Sequence, residues 1–101
     1  MFRHRIDIQK RTRVFDGEGY IYDWATIDTV WAHISPVSAK ERLEWQKLDV
    51  TVTHKISLRP YPGIDRVDHR LKFRGRAFTI VSILNPKELG RRLDLICNEG
   101  A

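Results

Sequence analysis

The sequence has little of several features that define common classes of protein. It contains a single cysteine, Cys97, which excludes an internal disulfide and a zinc site built from several thiolates. No apolar run approaches the ~20 residues that a membrane-spanning helix needs. The opening residues, MFRHRIDIQKR, lack the apolar middle of a secretory signal peptide. We therefore expect a chain that stays in the cytoplasm where it is made and has no membrane partner.

Acidic residues are outnumbered by basic ones. Eighteen Lys and Arg against 13 Asp and Glu give a net charge of +5, which favours anionic surroundings such as nucleic acid or an acidic protein surface. The basic residues are spread over several short clusters instead of forming one stripe. This distribution is more typical of a solvated surface than of a dedicated binding site.

Motifs for catalysis or metal binding are also missing. The four histidines show no i, i+4 helical pair and no cysteine neighbour, which argues against zinc; they are His4, His33, His54 and His69. Asp65, Asp68 and His69 lie close together after a Pro-Gly turn, where a solvated loop is the simpler interpretation. No glycine-rich loop opens a helix to hold a phosphate. The sequence therefore indicates a protein that is not an enzyme and that has no catalytic residues, metal or cofactor.

What the sequence does contain is a series of strand-like segments separated by turn signals. Six segments alternate or are rich in β-branched and aromatic residues; they cover residues 4–11, 22–34, 50–59, 69–73, 76–84 and 91–99. About six strands in one short chain predict a mainly β fold, a small antiparallel barrel or sandwich. We expect one domain spanning residues 1–101.

The alternation also predicts which side chains face the core. In the first strand it places Ile6 and Ile8 inside and Gln9 outside. In VTVTHKISLR it places Ile56 inside together with His54, a histidine better explained as hydrogen-bonded and structural than as a ligand. Cys97, within LDLIC, is expected to be buried as a small apolar residue.

Loops are predicted where glycine, proline and aspartate cluster. FDGEGY, residues 15–20, is interpreted as a loop or hairpin tip, because Asp16, Gly17 and Gly19 allow positive φ. The wider segment TRVFDGEGYIYDW, residues 12–24, is interpreted as a moderately short loop after the first strand. Arg74 and Gly75 predict a tight hairpin. NPKELG, residues 85–90, predicts a turn or a single helical turn.

One short helix interrupts this β pattern. Ser38 and Glu41 have the spacing of a capping box, and helix-forming residues continue from Ala39 to Leu48. Its apolar residues are few: Leu43, Trp45 and Leu48. Because this stripe is thin, we expect the helix to be mobile or to bind something other than its own core. Trp45 is either a partial anchor onto the barrel or a contact to a neighbour.

A small basic β-barrel could also bind single-stranded nucleic acid. Such a site needs aromatic and basic residues alternating on one exposed strand face. HRLKFRGRAF, residues 69–78, matches this only in part, because Phe73 and Phe78 are more naturally core residues. Nucleic-acid binding therefore stays an alternative.

Five pieces of the sequence, in order, resemble one protein family. The chain resembles the head-tail joining proteins of long-tailed phages, prophages and gene-transfer particles, also called head-completion, head-closure or stopper proteins. The resemblance runs from His4 to Glu99 and is carried by Arg5, Ile6, Ile8 and Gln9; Val30, Trp31, Ala32, Pro36 and Ser38; Thr53, His54, Ile56 and Arg59; Gly63 and Ile64; and Gly75, Phe78 and Ile80.

The resemblance implies a structural role in a virus-like particle. Such proteins are small β-barrels that form a ring beneath the portal and its adaptor, help to retain packaged DNA and provide the docking surface for the tail. The implied partners are copies of the chain itself, the portal or adaptor ring, a tail terminator or tail completion protein, and genomic DNA through non-specific contact. The implied location is the host cytoplasm during assembly and then the virion. The tail-side completion protein of the same connector is a further alternative.

The resemblance also implies two contact regions. The helical insertion is expected to face the lumen or a neighbouring subunit through Ser38, Lys40, Glu41, Arg42, Leu43, Trp45, Lys47 and Leu48. The loop after the first strand is expected to contact neighbouring rings through Arg13, Phe15, Asp16, Tyr20 and Tyr22. The free chain is expected to be a monomer.

Overall fold

The computed structural model describes residues 2–85 and 90–100, which form a mainly β fold. Within these ranges there are six strands and one helix: β1 (His4–Phe15), β2 (Tyr20–Pro36), α1 (Ala39–Gln46), β3 (His54–Leu58), β4 (His69–Phe73), β5 (Arg76–Leu84) and β6 (Leu93–Gly100). The strands pair antiparallel in the order β1-β2-β3-β6-β5-β4, and the sheet closes into a barrel. The predicted fold class and the position of the helix between two strands are confirmed.

The barrel interior is filled by the apolar faces that the alternation predicted. The fully enclosed side chains come from five of the strands and from β2 through a single alanine; they are Ile6, Ile8, Ala32, Ile56, Leu58, Leu71, Phe78, Ile80, Leu95 and Cys97. Successive side chains of a strand point to opposite faces, so alternate residues of the strand segments that form the barrel reach this core. His54 packs edge-on against Phe78 with ring centroids 5.3 Å apart, and its Nδ1 lies 2.9 Å from the Thr53 hydroxyl. The structural interpretation of His54 is therefore confirmed.

A second, smaller apolar cluster lies on the outside of the barrel. Ile96 alternates with the core residues Leu95 and Cys97, so it faces outward, yet it is only 2% exposed. It packs with Val37 and Val52, and Trp45 of α1 lies against this cluster. The helix thus covers an apolar spot on the outer barrel surface.

Two predicted segments are shorter in the structure. The alternating segment 50–59 forms a regular strand only over His54–Leu58. Thr53 still bonds to the backbones of Val37 and Cys97, whereas Val50 and Val52 pack into the outer cluster. The helix ends at Gln46 instead of Leu48, since the chain turns through Asp49 at a φ of 58°. The predicted cap is present, with the Ser38 hydroxyl accepting from the Glu41 N–H at 3.1 Å.

The hairpin tip predicted at FDGEGY is confirmed, but the wider segment TRVFDGEGYIYDW was wrongly interpreted as a loop. Strands β1 and β2 stay paired through it as far as Phe15 and Tyr20, which leaves only residues 16–19 as a turn. Tyrosine, tryptophan and isoleucine favour strands, and this preference holds although two glycines and two aspartates lie nearby. Gly17, at a φ of 96°, takes a conformation in the turn that other residues rarely adopt.

Gln9 lies on the outer face as predicted, but it is buried. Its side chain accepts a hydrogen bond from Arg70 Nε at 2.7 Å and donates one to the Thr26 hydroxyl at 3.2 Å. Arg70 also lies over the ring of Trp24, 4.8 Å from its centroid, and so covers the amide. Burial of a polar group is tolerated when its hydrogen bonds are made.

The two remaining turn predictions have different outcomes. Arg74 and Gly75 form the tight β4–β5 hairpin, with φ angles of 50° and 79°. The turn predicted over residues 85–90 lies largely outside the described residues.

The single cysteine offers a direct measure of how tightly the core is closed. Burial raises the pKa of the Cys97 thiol to about 12, and its side chain is fully enclosed. Because the thiolate is the reactive form, we expect Cys97 in the native protein to be unreactive toward a disulfide reagent such as DTNB at neutral pH. Complete modification should follow addition of denaturant. Rapid stoichiometric labelling of the native protein would show that the barrel opens near β6.

Candidate interaction surfaces

The first candidate surface is a two-stranded arm that extends from the barrel. Strand β4 pairs with β1 only from Asp7 to Lys10, and β3 pairs with β2 only from Ala32 onward. Residues 11–24 of the hairpin, here called the arm, therefore have no third strand beside them among the described residues. The longest dimension of the molecule, 47 Å against 29 and 26 Å, is consistent with this projection.

A β-bulge decides which side chains appear on each face of the arm. Ile27 is an extra residue in β2, because Ile8 pairs with Asp28 while Gln9 pairs with Thr26. Before the bulge the even-numbered residues of β2 belong to the outer face, and after it they point into the core, as Ala32 does. Bulges re-aim side chains in this way.

The outer face of the arm combines aromatic rings with arginines, and we call it the aromatic–arginine face. Cross-strand partners bring its six members together in three pairs: Arg11 with Trp24, Arg13 with Tyr22, and Phe15 with Tyr20. The guanidinium of Arg11 lies 4.7 Å from the Tyr22 ring centroid, and that of Arg13 lies 4.2 Å from the Tyr20 centroid. These diagonal contacts are cation–π geometry.

This face is open to solvent although it is rich in apolar surface. Phe15 and Tyr22 are each 62% exposed and Tyr20 is 58% exposed. Tyr, Trp and Arg are the residues most enriched at the energetic centres of protein interfaces, and aromatic rings beside arginines also suit stacking of nucleic-acid bases. The composition of the arm is therefore typical of a binding surface.

The tip of the arm is held by an aspartate. Asp16 Oδ1 accepts from the backbone N–H groups of Glu18 and Gly19 at 3.0 and 2.9 Å. These two hydrogen bonds lower the pKa of the Asp16 carboxyl below its ordinary value, because they favour its charged form. Asp16 therefore acts first as a turn-forming residue, and Glu18 beside it presents a second exposed carboxylate.

The second candidate surface is helix α1, which has no buried residue. Its side chains form one charged, exposed face with Leu43 (59% exposed), while Leu48 just beyond it is 69% exposed. Glu41 lies 3.8 Å from Lys55 Nζ on β3. Of the two roles expected for Trp45, the anchor onto the barrel is the one seen in the isolated chain.

The structure brings the predicted contact residues together in two separate groups. Arg13, Phe15, Tyr20 and Tyr22 share the aromatic–arginine face, with Asp16 at its tip. The helical group lies beyond the other end of β2, whose 17 residues separate the two surfaces. Sequence reasoning missed Arg11, Trp24 and Arg70. These residues share the outer face of the sheet because the Ile27 bulge changes which side chains of β2 point outward.

The acidic cluster near His69 is structural. Asp65 Oδ1 accepts from the backbone N–H groups of Val67 and Asp68 at 3.1 and 2.6 Å, and it lies 3.3 Å from Nδ1 of His69. Hydrogen bonds from Asp68 and from His69 lower the pKa of the Asp65 carboxyl. His69 is buried. The segment from Asp65 to His69 is therefore a turn held by hydrogen bonds to Asp65, whereas a solvated loop was expected for the whole segment.

The described residues contain neither a metal-ligand cluster nor a membrane-spanning helix. In residues 2–85 and 90–100, no group of three or more His, Cys, Asp or Glu side chains is placed to hold a metal ion. No helix in the same ranges is long and apolar enough to cross a membrane. The fold is that of a small β-barrel with two exposed elements, the arm and α1, outside its core.

Comparison with known proteins assigns this barrel to a family. The family model described as phage head completion protein matches residues 1–100, so the chain belongs to the phage head completion protein family. It is a structural protein of phage-like virions, as the sequence resemblance implied. No curated protein matches the chain.

Two solved structures share the fold. The solution structure of protein SF1141 from Shigella flexneri 2a has a TM-score of 0.81 and 28% identity, with 99% of this chain and 94% of that chain covered. A chain from the virion of a native gene transfer agent particle has a TM-score of 0.67 and 21% identity, with 99% and 96% covered. At this identity the second likeness shows the fold alone.

Proposed function

We propose that this protein is the head-closure, or stopper, subunit of a head-tail connector. It assembles as a ring beneath the portal or its adaptor, helps to retain packaged DNA and provides the surface on which the tail docks. The observation that carries the proposal is the projecting arm. In this member of the head completion family the arm exposes an aromatic–arginine face, and the described residues of the single chain supply no partner for that face.

Each surface has its own role in the proposal. The arm contacts a neighbouring ring, either the portal or adaptor on one side or a tail terminator or tail completion protein on the other. The exposed part of α1 faces the lumen or an adjoining subunit, where Lys40, Arg42 and Lys47 tolerate DNA phosphates without reading sequence. The protein assembles in the host cytoplasm and ends in the virion, and no catalytic step is assigned to it.

Deleting the gene from the phage or prophage that produces the protein tests this role. We expect electron microscopy to show heads that package DNA, lose it and carry no tails. Complementation with the intact gene should restore full, tailed particles. Normal tailed particles from the deletion strain would contradict the proposal, and empty heads that never package DNA would assign the protein to an earlier step.

The aromatic–arginine face also favours a second candidate, binding of single-stranded nucleic acid. It meets the requirement for alternating aromatic and basic residues on one exposed strand face better than residues 69–78 do, since Phe78 is buried. The rings of Tyr20 and Tyr22 are already covered by arginines, which argues against base stacking. Salt-dependent binding of a free oligonucleotide that Tyr22→Ala abolishes would favour this candidate.

The free subunit is expected to be a monomer or a weak oligomer. The exposed large apolar side chains are concentrated on a narrow two-stranded arm and are otherwise scattered, whereas stable interfaces bury about 800 Å² on each partner. Association should therefore need the template of an adjacent ring. Light scattering at micromolar concentration checks this prediction. A tight dimer or a closed ring in the absence of other connector proteins would contradict it.

A further inference from the structure

An apolar cavity of about 700 Å³ lies beside the barrel, far from the arm's tip. It is formed between the start of β1, the second half of β2 and the segment after β3. Its walls include the side chains of Phe2, Trp31 and Tyr61 and two cations, Arg5 and Arg59. The cavity therefore suits a group that is partly apolar and carries negative charge.

The two arginines make the cavity electropositive. Arg5 lies over Trp31 at 4.9 Å from the ring centroid, and no carboxylate side chain lines the cavity. Arg59 is exposed and makes no ion pair within the described residues. Burial, and after it the nearby carboxylate of Asp28, raise the pKa of Tyr61 above its ordinary value. One acid beside two arginines leaves the cavity with positive charge.

The tip of the arm has the complementary character. Asp16 and Glu18 give it two negative charges, and the rings of Phe15 and Tyr20 pack together behind them with centroids 5.3 Å apart. The Glu18 carboxylate makes no hydrogen bond or ion pair in the described part of the chain. An acidic tip with an aromatic base matches an aromatic cavity with two arginines.

The tip cannot reach the cavity of its own chain. Arg5 and Trp31 are cross-strand partners at one end of the β1–β2 hairpin, and Phe15 and Tyr20 are partners at the other. Ten residues of strand separate Arg5 from Phe15, a distance of about 33 Å at the usual rise per residue. A paired hairpin does not fold back on itself over that length. The complement of each surface must therefore come from another molecule.

We propose that the arm's tip, with Glu18 and Phe15, docks into the Arg5–Arg59 cavity of the next copy of this chain. The two surfaces are different and lie at separate places on one subunit, so the contact is head-to-tail and repeats from copy to copy. Such a contact closes into a ring when its rotation closes. The inference rests on the proposed function. It assigns the tip of the arm to the neighbouring copy in the same ring instead of to a neighbouring ring. Tyr22 and Trp24 remain available to the adjoining ring.

Engineered cysteines test this arrangement in assembled particles. A variant carrying Glu18→Cys and Arg59→Cys should form disulfides only between copies, because the two positions are too far apart within one chain and native Cys97 is enclosed. Each subunit then links to the copies on both sides. On mild oxidation of purified particles, non-reducing electrophoresis should show a ladder of covalent multimers up to the full ring. The ladder should collapse to monomer on reduction.

Matched controls make the ladder specific. Glu18→Cys alone and Arg59→Cys alone offer one thiol for each subunit and can give no more than dimers. A variant with Glu18→Cys and Glu44→Cys, which moves the second thiol to α1, should give no ladder. A ladder in this variant, or only monomer in the Glu18 and Arg59 pair, would overturn the proposal.

A charge exchange provides a readout that does not depend on oxidation. Glu18→Arg and Arg59→Glu should each lower the yield of infectious particles, and the double exchange should recover about tenfold over the worse single variant. Asp16 is left unchanged because it holds the turn.

Full, tailed particles from the double-cysteine variant without a ladder would contradict the docking inference and leave the connector role intact. A gene deletion without any particle defect would instead remove the proposed function itself.

Discussion

Replacing Ile56 or Ile80 with alanine is expected to lower the free energy of unfolding by about 2–5 kcal/mol in each case. Ile56 lies at the middle of β3 and is fully buried, and Ile80 on β5 is 2% exposed. Both belong to the same core cluster. Alanine removes apolar contacts and leaves a cavity that a closed barrel cannot collapse, since each strand is paired on both sides.

Such a loss is a large part of the stability of a small domain, which is typically about 5–15 kcal/mol. Urea denaturation followed by tryptophan fluorescence measures it. Ile27→Ala is the matched control, because the same atoms are removed from a side chain that is 47% exposed. We expect a change in the control several times smaller. Equal midpoints for all three variants and the parent protein would mean that the assigned faces are reversed.

The barrel could be predicted because most of its strands follow one simple rule. Ile6 and Ile8, Ile56 and Leu58 recur at every second position, and a strand with one buried face must alternate in this way. The turn at Gly75 could be predicted for a different reason, since it needs a φ that favours glycine. At these positions the conformational preference of the residue and the pattern of buried side chains indicate the same structure, and both are visible in the sequence.

The details that could not be predicted depend on tertiary contacts. Val50 and Val52 alternate like the strand that follows them, but they pack against Ile96 on the outside of the barrel and leave the sheet. Gln9 looks like an exposed polar residue, and only the position of Arg70, 61 residues away in sequence, shows that it is buried. Neither contact has a local signal.

The arm shows how residues predicted for a loop can share one face of a strand pair. Asp16, Gly17 and Gly19 correctly indicated the hairpin tip, but the loop drawn around it over residues 12–24 was too long, because the strands continue to Phe15 and Tyr20 on either side. The face on which Tyr22 appears depends on the single extra residue at Ile27, which changes the parity of β2. A bulge has no reliable sequence signature, so the aromatic–arginine face could be found only from the register.

The helix was predicted from its cap, and its thin apolar stripe was interpreted as the mark of a helix that is mobile or binds something other than its own core. The structure shows that its attachment to the barrel is Trp45 over Val52 and Ile96. The Trp45→Ala variant is therefore expected to fold but to lose about 1–3 kcal/mol, less than the loss for a fully buried aromatic residue. Leu43, on the same helix and 59% exposed, should tolerate alanine with little change.

Replacing residues 39–48 with a short Gly-Ser linker is expected to abolish function while preserving the fold. Every strand pairing of the barrel lies outside this segment, and α1 contributes no buried residue. The loss of Trp45 uncovers the outer cluster of Val37, Val52 and Ile96, so the melting temperature should fall. At about 4–8 °C for each kcal/mol in a domain of this size, a drop of roughly 5–20 °C is expected. The circular dichroism of the β-sheet should remain.

The functional readout is complementation of the gene deletion for DNA retention and tail attachment. If the insertion faces the lumen or a neighbouring subunit, the linker variant should fail completely, whereas Trp45→Ala measures how much of that failure comes from lost stability alone. Leu43→Ala is the control on the same helix, and its effect should be confined to assembly because its side chain touches no core. A linker variant that is unfolded would show that α1 is required for the fold. A folded linker variant that complements fully would show that the arm alone connects the subunits, and the role proposed for the insertion would be wrong.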